Sequence, residues 1–328
     1  MKVIIWGFPL YSHTHSYVHY GWYKAFKSIG YETYWFHDGQ FPSDFDYSNC
    51  LFITEGYADN NIPLNSNSTY FVHMCKNPSK YLSSGCRLID IRFNVKGTKD
   101  FTYDYVLDKS KCQQLDCVTF YEQNASDNAL REKFRNNVSG YEAVYTSWAT
   151  DTLPNEFNFD DMYIERERKV WYIGSLWSAN QIEINQFKKA CEDNEIEFIN
   201  KNPWGDYATV ENHKEIIQRS YIAPDIRGSG VTCGESTPQD CNHLDIGYIP
   251  CRTFKNISYG QVGSTNSKAV NDLFSGRIIY NNDPYLLFKD TENNAKNYPL
   301  IKEQMEYVKN HHTFINRINC FLEIYNSK

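Results

Sequence analysis

Lys2–Asp38, KVIIWGFPLYSHTHSYVHYGWYKAFKSIGYETYWFHD, decides the fold class. The apolar run KVIIW stops at Gly7, and a polar loop follows. YVHYGWYKAFKSIG then shows helical spacing and closes on Gly30, and YETYWFHD is strand-like and ends in polar residues. This is a strand, helix, strand unit. Further short apolar runs at CLFITEG (50–56), TYFVHM (69–74), CRLIDIRF (86–93) and YEAVYTSW (141–148) are spaced by polar segments. Several are continuous rather than alternating, as in strands of a parallel sheet covered on both faces.

After the charged stretch NEFNFDDMYIERER (155–168) the order of elements restarts. KVWYIGSLW is a strand entering a glycine turn, QIEINQFKKACEDN an amphipathic helix and IEFIN the next strand. NHKEIIQRS reads as a helix, YIAPDI and GRIIYN as strands, and the C-terminal YPLIKEQMEYVKNHHTFINRINCFLEIY as one long helix or a helix pair, on which His311 and His312 form a solvated face. The expected fold class is therefore α/β: two Rossmann-like domains facing a cleft, with a C-terminal helix packing back on the first. Domain one spans 1–165, domain two 166–305 and the returning helix 306–328.

Bulk properties narrow the function. A net charge of −7 and a pI near 5.7 supply no positive field to gather nucleic acid. Ten cysteines lack metal-like C-x-x-C pairs and are too sparse for a disulfide scaffold, so they read as buried hydrophobes in a reducing compartment. The N-terminal run is broken by Gly7 and Pro9, unlike a signal peptide or a membrane span, which makes a soluble, cytoplasmic protein the expectation.

Gly247–Ser267, GYIPCRTFKNISYGQVGSTNS, carries the chemistry of the second half. Pro250 sits where a helix begins and Gly260 where it ends, with Phe254 and Ile257 on one face. Arg252 and Lys255 then lie on the first turns, where free N–H groups and the helix dipole favour an anion. A phosphate site is expected there, with Arg227 of PDIRG as a further cation or, equally, as the partner of Asp225 or Glu235.

Taken together these segments resemble glycosyltransferases of the GT-B fold, families 1 and 4 among them. The resemblance rests on VWYIGSLW around Gly174 and Ser175, on PCRTFKNISYG as the donor helix, on VYTSWATDTLP (144–154) as the crossing between domains, and on HHTFINRI as the returning C-terminal helix. It implies a metal-independent enzyme of glycan biosynthesis that moves a sugar from a UDP- or GDP-sugar to a glycan or other hydroxyl acceptor, with no added cofactor. Gly174, Ser175, Arg227, Tyr248, Arg252, Thr253 and Lys255 would bind the donor. The chain departs from retaining family 4 members at their two glutamates, which fall here on Gly247 and Lys255. A catalytically silent carbohydrate- or nucleotide-binding protein is the alternative. A nucleotide-dependent oxidoreductase is disfavoured because neither GFPLYSH nor GSLWSAN contains G-x-G-x-x-G.

SHTHSYVHYGW holds His13, His15 and His19. His15 or His13 is the expected base for an acceptor hydroxyl, in the loop where inverting GT-B enzymes carry one, with loop or helix-capping structure as the other reading. Asp151 is a second candidate, as base or as holder of a histidine tautomer, against an N-cap or hinge role. Two histidines two apart also suit zinc, but the sequence shows no third ligand of matching spacing, so no metal is assigned. Glu55, after LFIT, is a candidate contact for acceptor hydroxyls, and His19 is expected to face the helix interior.

Overall fold

The structure, a computed structural model, describes residues 1–13, 15–92, 120–125, 141–174, 176, 178–201, 210–230, 242–244 and 248–326. The described residues of Met1–Ser147 and Phe314–Lys328 form one compact unit, and those of Trp148–Cys233 and Gln239–Thr313 a second. The first unit thus ends at Ser147, inside VYTSWATDTLP, and not near residue 165. The chain rejoins it at Phe314, eight residues later than the expected 306.

The first unit is a seven-stranded sheet in the order β2-β1-β3-β4-β5-β7-β6, from β1 (Lys2–Trp6), β2 (Glu32–Phe36), β3 (Cys50–Glu55), β4 (Thr69–His73), β5 (Arg87–Arg92), β6 (Phe120–Ala125) and β7 (Tyr141–Tyr145). Every pairing is parallel except β6 with β7. Side chains alternate between faces along each strand. One row, Ile4–Phe52–Tyr70–Leu88, runs across neighbouring strands into a core closed by Tyr81 of α2 (Pro78–Leu82). On the opposite face lie Ile5, Ile53 and Phe71, all buried, which is why these strands read as continuous apolar runs.

α1 (Ser16–Ser28) and α9 (Phe314–Asn326) cover that second face. Trp22 of α1 packs on Phe314 and Phe321 of α9, and Phe321 stacks on Phe71 at 4.6 Å and 8°. Gly21 permits the approach, because a Cβ there would collide with the Phe314 ring. Arg87 fixes the far end of α9: it forks onto Glu142 with two 2.6 Å bonds and donates to the carbonyls of Ile324 and Tyr325, two of the acceptors a helix end leaves open.

In the second unit β8 (Lys169–Ile173) pairs in parallel with β9 (Glu197–Lys201) across α3 (Gln181–Asp193). β10 (Ser264–Thr265) pairs in parallel with β11 (Ile279–Tyr280). Tyr221–Ile226 lies between the two pairs but is not a regular strand: the Tyr221 N–H donates to Lys169 O, the Asp225 N–H to Ser264 O, and a single bridge joins Asp225 to Thr265. Pro224 has no N–H to give a ladder there. The remaining helices are α4 (Val210–Arg219), α5 (Cys251–Ser258), α6 (Lys268–Leu273), α7 (Pro284–Asn293) and α8 (Tyr298–His311). The result is a mixed α/β protein with Rossmann-like parallel sheet construction.

The C-terminal segment breaks after α8, where the Thr150 N–H donates to His312 O and Thr150 bridges Thr313. His312 is fully buried against Phe254 and Tyr307, correcting its expected place on a solvated face; the turn that stops α8 carries it inward. Cys50, Cys75, Cys86, Cys191 and Cys320 are buried free thiols. Among the described residues no helix is long and apolar enough to cross a membrane.

Candidate functional site

In the first unit β1 and β3 are neighbours, and the chain leaves β1 toward β2 on one side and β3 toward β4 on the other. In an open parallel sheet such a reversal leaves a crevice outside the carboxyl ends of the two strands. The loop carrying His13 and His15 follows β1, and Glu55 is the last residue of β3. His73, last in β4, stands opposite Glu55 in register, and Asp90 of β5 stands opposite Val72.

The loop is shaped locally. Ser12 N–H donates to Pro9 O, and Tyr11, at φ +70°, donates its N–H to Ser16 Oγ. His13 stacks on Phe8 at 3.8 Å, and its Nδ1 accepts the backbone N–H of His15. His15 is the residue before α1, the capping position, yet its side chain makes no cap; it turns to Glu55, with Nδ1 2.8 Å from Oε2. His19 is buried, as expected, and its Nδ1 accepts the Phe8 N–H, which places its proton on Nε2, 3.5 Å from the same Glu55 oxygen. Gly7 leaves room for that ring, since a Cβ there would strike it.

Protonation follows from these contacts. Burial alone would push the Glu55 carboxyl up, but the charge and hydrogen bond of His15, with His19 and His73, bring it down to about 2. Glu55 is therefore a carboxylate and His15 Nδ1 donates to it, so the nitrogen left to exchange a proton is Nε2. Burial, with His15 next, lowers His13 to about 4; burial lowers His19 to about 4 and His73 to about 3. A carboxylate orienting an imidazole by its Nδ1–H is the arrangement that presents the other nitrogen as a base.

The second unit gathers cations at the carboxyl end of β8. Arg252, on the first turn of α5, donates from Nη1 to Tyr172 OH at 2.6 Å and from Nη2 to Ile173 O at 2.8 Å, with its guanidinium 4.3 Å above the Tyr172 ring. Gly174 makes the space, because a Cβ there would overlap Arg252. Arg227 pairs with buried Asp225 at 2.6 Å, and Arg252 Nη1 is 4.0 Å from the same carboxylate. Asn266 clamps Arg227 through its backbone N–H and carbonyl, and the Tyr248 ring centre is 5.9 Å from its guanidinium. Among the described residues, two arginines against one aspartate leave one positive charge in excess. Arg227 Nε and Thr253 Oγ1 are buried there without a hydrogen-bond partner among the described residues. Lys255 lines a cavity of water-molecule dimensions with Arg252, Pro224 and Asn256; burial and then the Lys255 charge lower His213 to about 3.

Of the residues singled out in the sequence, His13 and His15 come together in the first unit, and Gly174, Arg227, Tyr248, Arg252, Thr253 and Lys255 belong to the second. Ser175 lies outside the described residues, as does Glu235, so Asp225 is the partner seen for Arg227. Asp151 lies in the second unit, where Tyr259 OH donates to it at 3.3 Å. The sequence reading missed the pairing of His15 with Glu55 and the places of His73 and Asp90. The signal available for Glu55 and His73 was positional: each ends a strand that points the same way as β1, whereas Asp90 lies within β5. No family model, curated protein or solved structure matches this chain.

Proposed function

We propose that this chain is a metal-independent, nucleotide-sugar-dependent glycosyltransferase of the GT-B type, its first unit serving the acceptor and its second the donor. The observation that carries the reading is the His15–Glu55 pair at the strand-order reversal. His15 Nε2 takes the proton of an acceptor hydroxyl as that oxygen bonds the anomeric carbon. The bond from that carbon to the phosphate oxygen breaks, and its electron pair leaves with the nucleoside diphosphate. Glu55 stabilises the imidazolium that forms, and His13 packs beside it.

Charge developing on the leaving diphosphate is the larger demand. Arg227, Arg252 and Lys255 would answer it, with the Thr253 hydroxyl, Tyr248 and Gly174 completing the donor set and Ser175 kept as the further candidate the sequence offers. A UDP- or GDP-sugar and a glycan acceptor fit this chemistry. One observation favours the alternative, a binding protein without turnover: Asp225 already engages Arg227 and stands near Arg252, which weakens their call on a phosphate.

Titration calorimetry with UDP and GDP tests the donor assignment. Binding is expected, and Arg252→Ala and Lys255→Ala should each weaken it by roughly 1.5–3 kcal/mol, the worth of a charge-assisted hydrogen bond. Absence of binding to either nucleotide, or unchanged affinity in both variants, would refute the assignment. Binding with no release of diphosphate from the matching sugar nucleotides would select the silent protein.

A further inference from the structure

We propose that His13, His15 and Glu55 together form a binding site for a divalent transition-metal ion, best matched by zinc, and that the ion and the proton-accepting role exclude each other at His15. One ligand atom from each of the three lies within 4.8 Å of the other two. Two imidazoles and one carboxylate are a donor set that suits Zn2+ and leaves coordination positions open. Bonds of ~2.1 Å to a tetrahedral ion put its ligands about 3.4 Å apart. His15 Nδ1 and Glu55 Oε2 stand 2.8 Å apart across a proton that the ion would displace, and His13 and His15 are both half-buried.

A second observation points to a ligand. Glu55 is 1% exposed, and its Oε1 makes no hydrogen bond among the described residues. A buried anionic oxygen without a donor is costly unless a cation or a proton donor completes it. His19 Nε2 lies 3.5 Å from Glu55 Oε2, an outer contact of the kind that fixes a ligating carboxylate.

Neutral imidazole has one lone pair. An ion bound at His15 Nδ1 leaves the ring's one proton on Nε2 and so removes the base; zinc would therefore inhibit a transferase using it, and a chelator would restore activity. The site itself stands on the three side chains alone and does not depend on the transferase reading.

The test is calorimetric titration of Zn2+ into chelator-treated full-length protein. One equivalent is expected to bind, with affinity at least about tenfold weaker in both His13→Ala and Glu55→Gln, and unchanged in His311→Ala, a control for incidental histidine binding. His13→Ala removes a partly exposed ring and keeps the test sound if Glu55→Gln fails to fold. No stoichiometric binding, or affinity equal to wild type in His13→Ala, would overturn the site. Because the readout is binding, its failure leaves the transferase reading standing, and loss of that reading leaves the site standing.

Discussion

Glu55 sits where the imidazoles of His15, His19 and His73 bear on it, and each of these residues is held by backbone the sequence has shaped for it. The pairing has an acid-stability consequence. Burial depresses His19 from 6.5 to about 4 and His73 to about 3, so between those values the unfolded chain binds protons that the folded chain refuses. Stability is then full above about pH 6.5 and falls as pH drops toward 4. Glu55, held at about 2, adds stability above its ordinary 4.5 that is lost as pH falls through 2. Since one pKa unit is about 1.4 kcal/mol, two buried imidazoles amount to several kcal/mol. Urea midpoints measured from pH 7.5 to 4 should fall steadily below 6.5, and His73→Gln should flatten the decline. A midpoint independent of pH over that range would refute the burial of neutral imidazoles.

At the scale of elements, strands covered on both faces were legible because continuous apolar runs leave no other place for β1, β3, β4 and β5. Tyr221–Ile226 was not, because its apolar residues are buried as in a strand while Pro224 removes the ladder bond; composition alone does not separate the two. The end of the first unit was read after the charged stretch 155–168, but that stretch forms short 3-10 turns that belong to the second. The return of α9 depends on Arg87 as well as on ring packing, a long-range contact with no local mark in the sequence. Arg87→Ala should leave Glu142 without its fork and two carbonyls uncapped, lowering stability by about 2–4 kcal/mol. Hydrogen exchange should rise in 314–326 before it rises in β1 or β3. Uniform protection across α9 and the sheet in this variant would show that Arg87 does not anchor the helix.

For the whole molecule, the sequence pointed to two α/β units and to a histidine loop and a cation cluster as their chemical centres. It could not show that a carboxylate 40 residues beyond His15 hydrogen-bonds the ring of that histidine, or that Asp225 shares itself between two arginines. The first joins a loop to a strand end and the second joins the segment after Tyr221 to the first turn of α5, contacts about which periodicity carries no information. The account ties function to the first of them: a base in the first unit, a diphosphate site in the second. The direct measurement is the turnover of wild-type protein and His15→Ala on UDP- and GDP-sugars with sugar acceptors, followed by release of nucleoside diphosphate, with diphosphate affinity determined on the same samples. The expected result is a kcat lower by roughly 10² to 10⁴ in the variant with nucleotide affinity unchanged, because a general base acts in the transition state. Equal turnover by wild type and His15→Ala, or no diphosphate release by wild type on any donor, would contradict it.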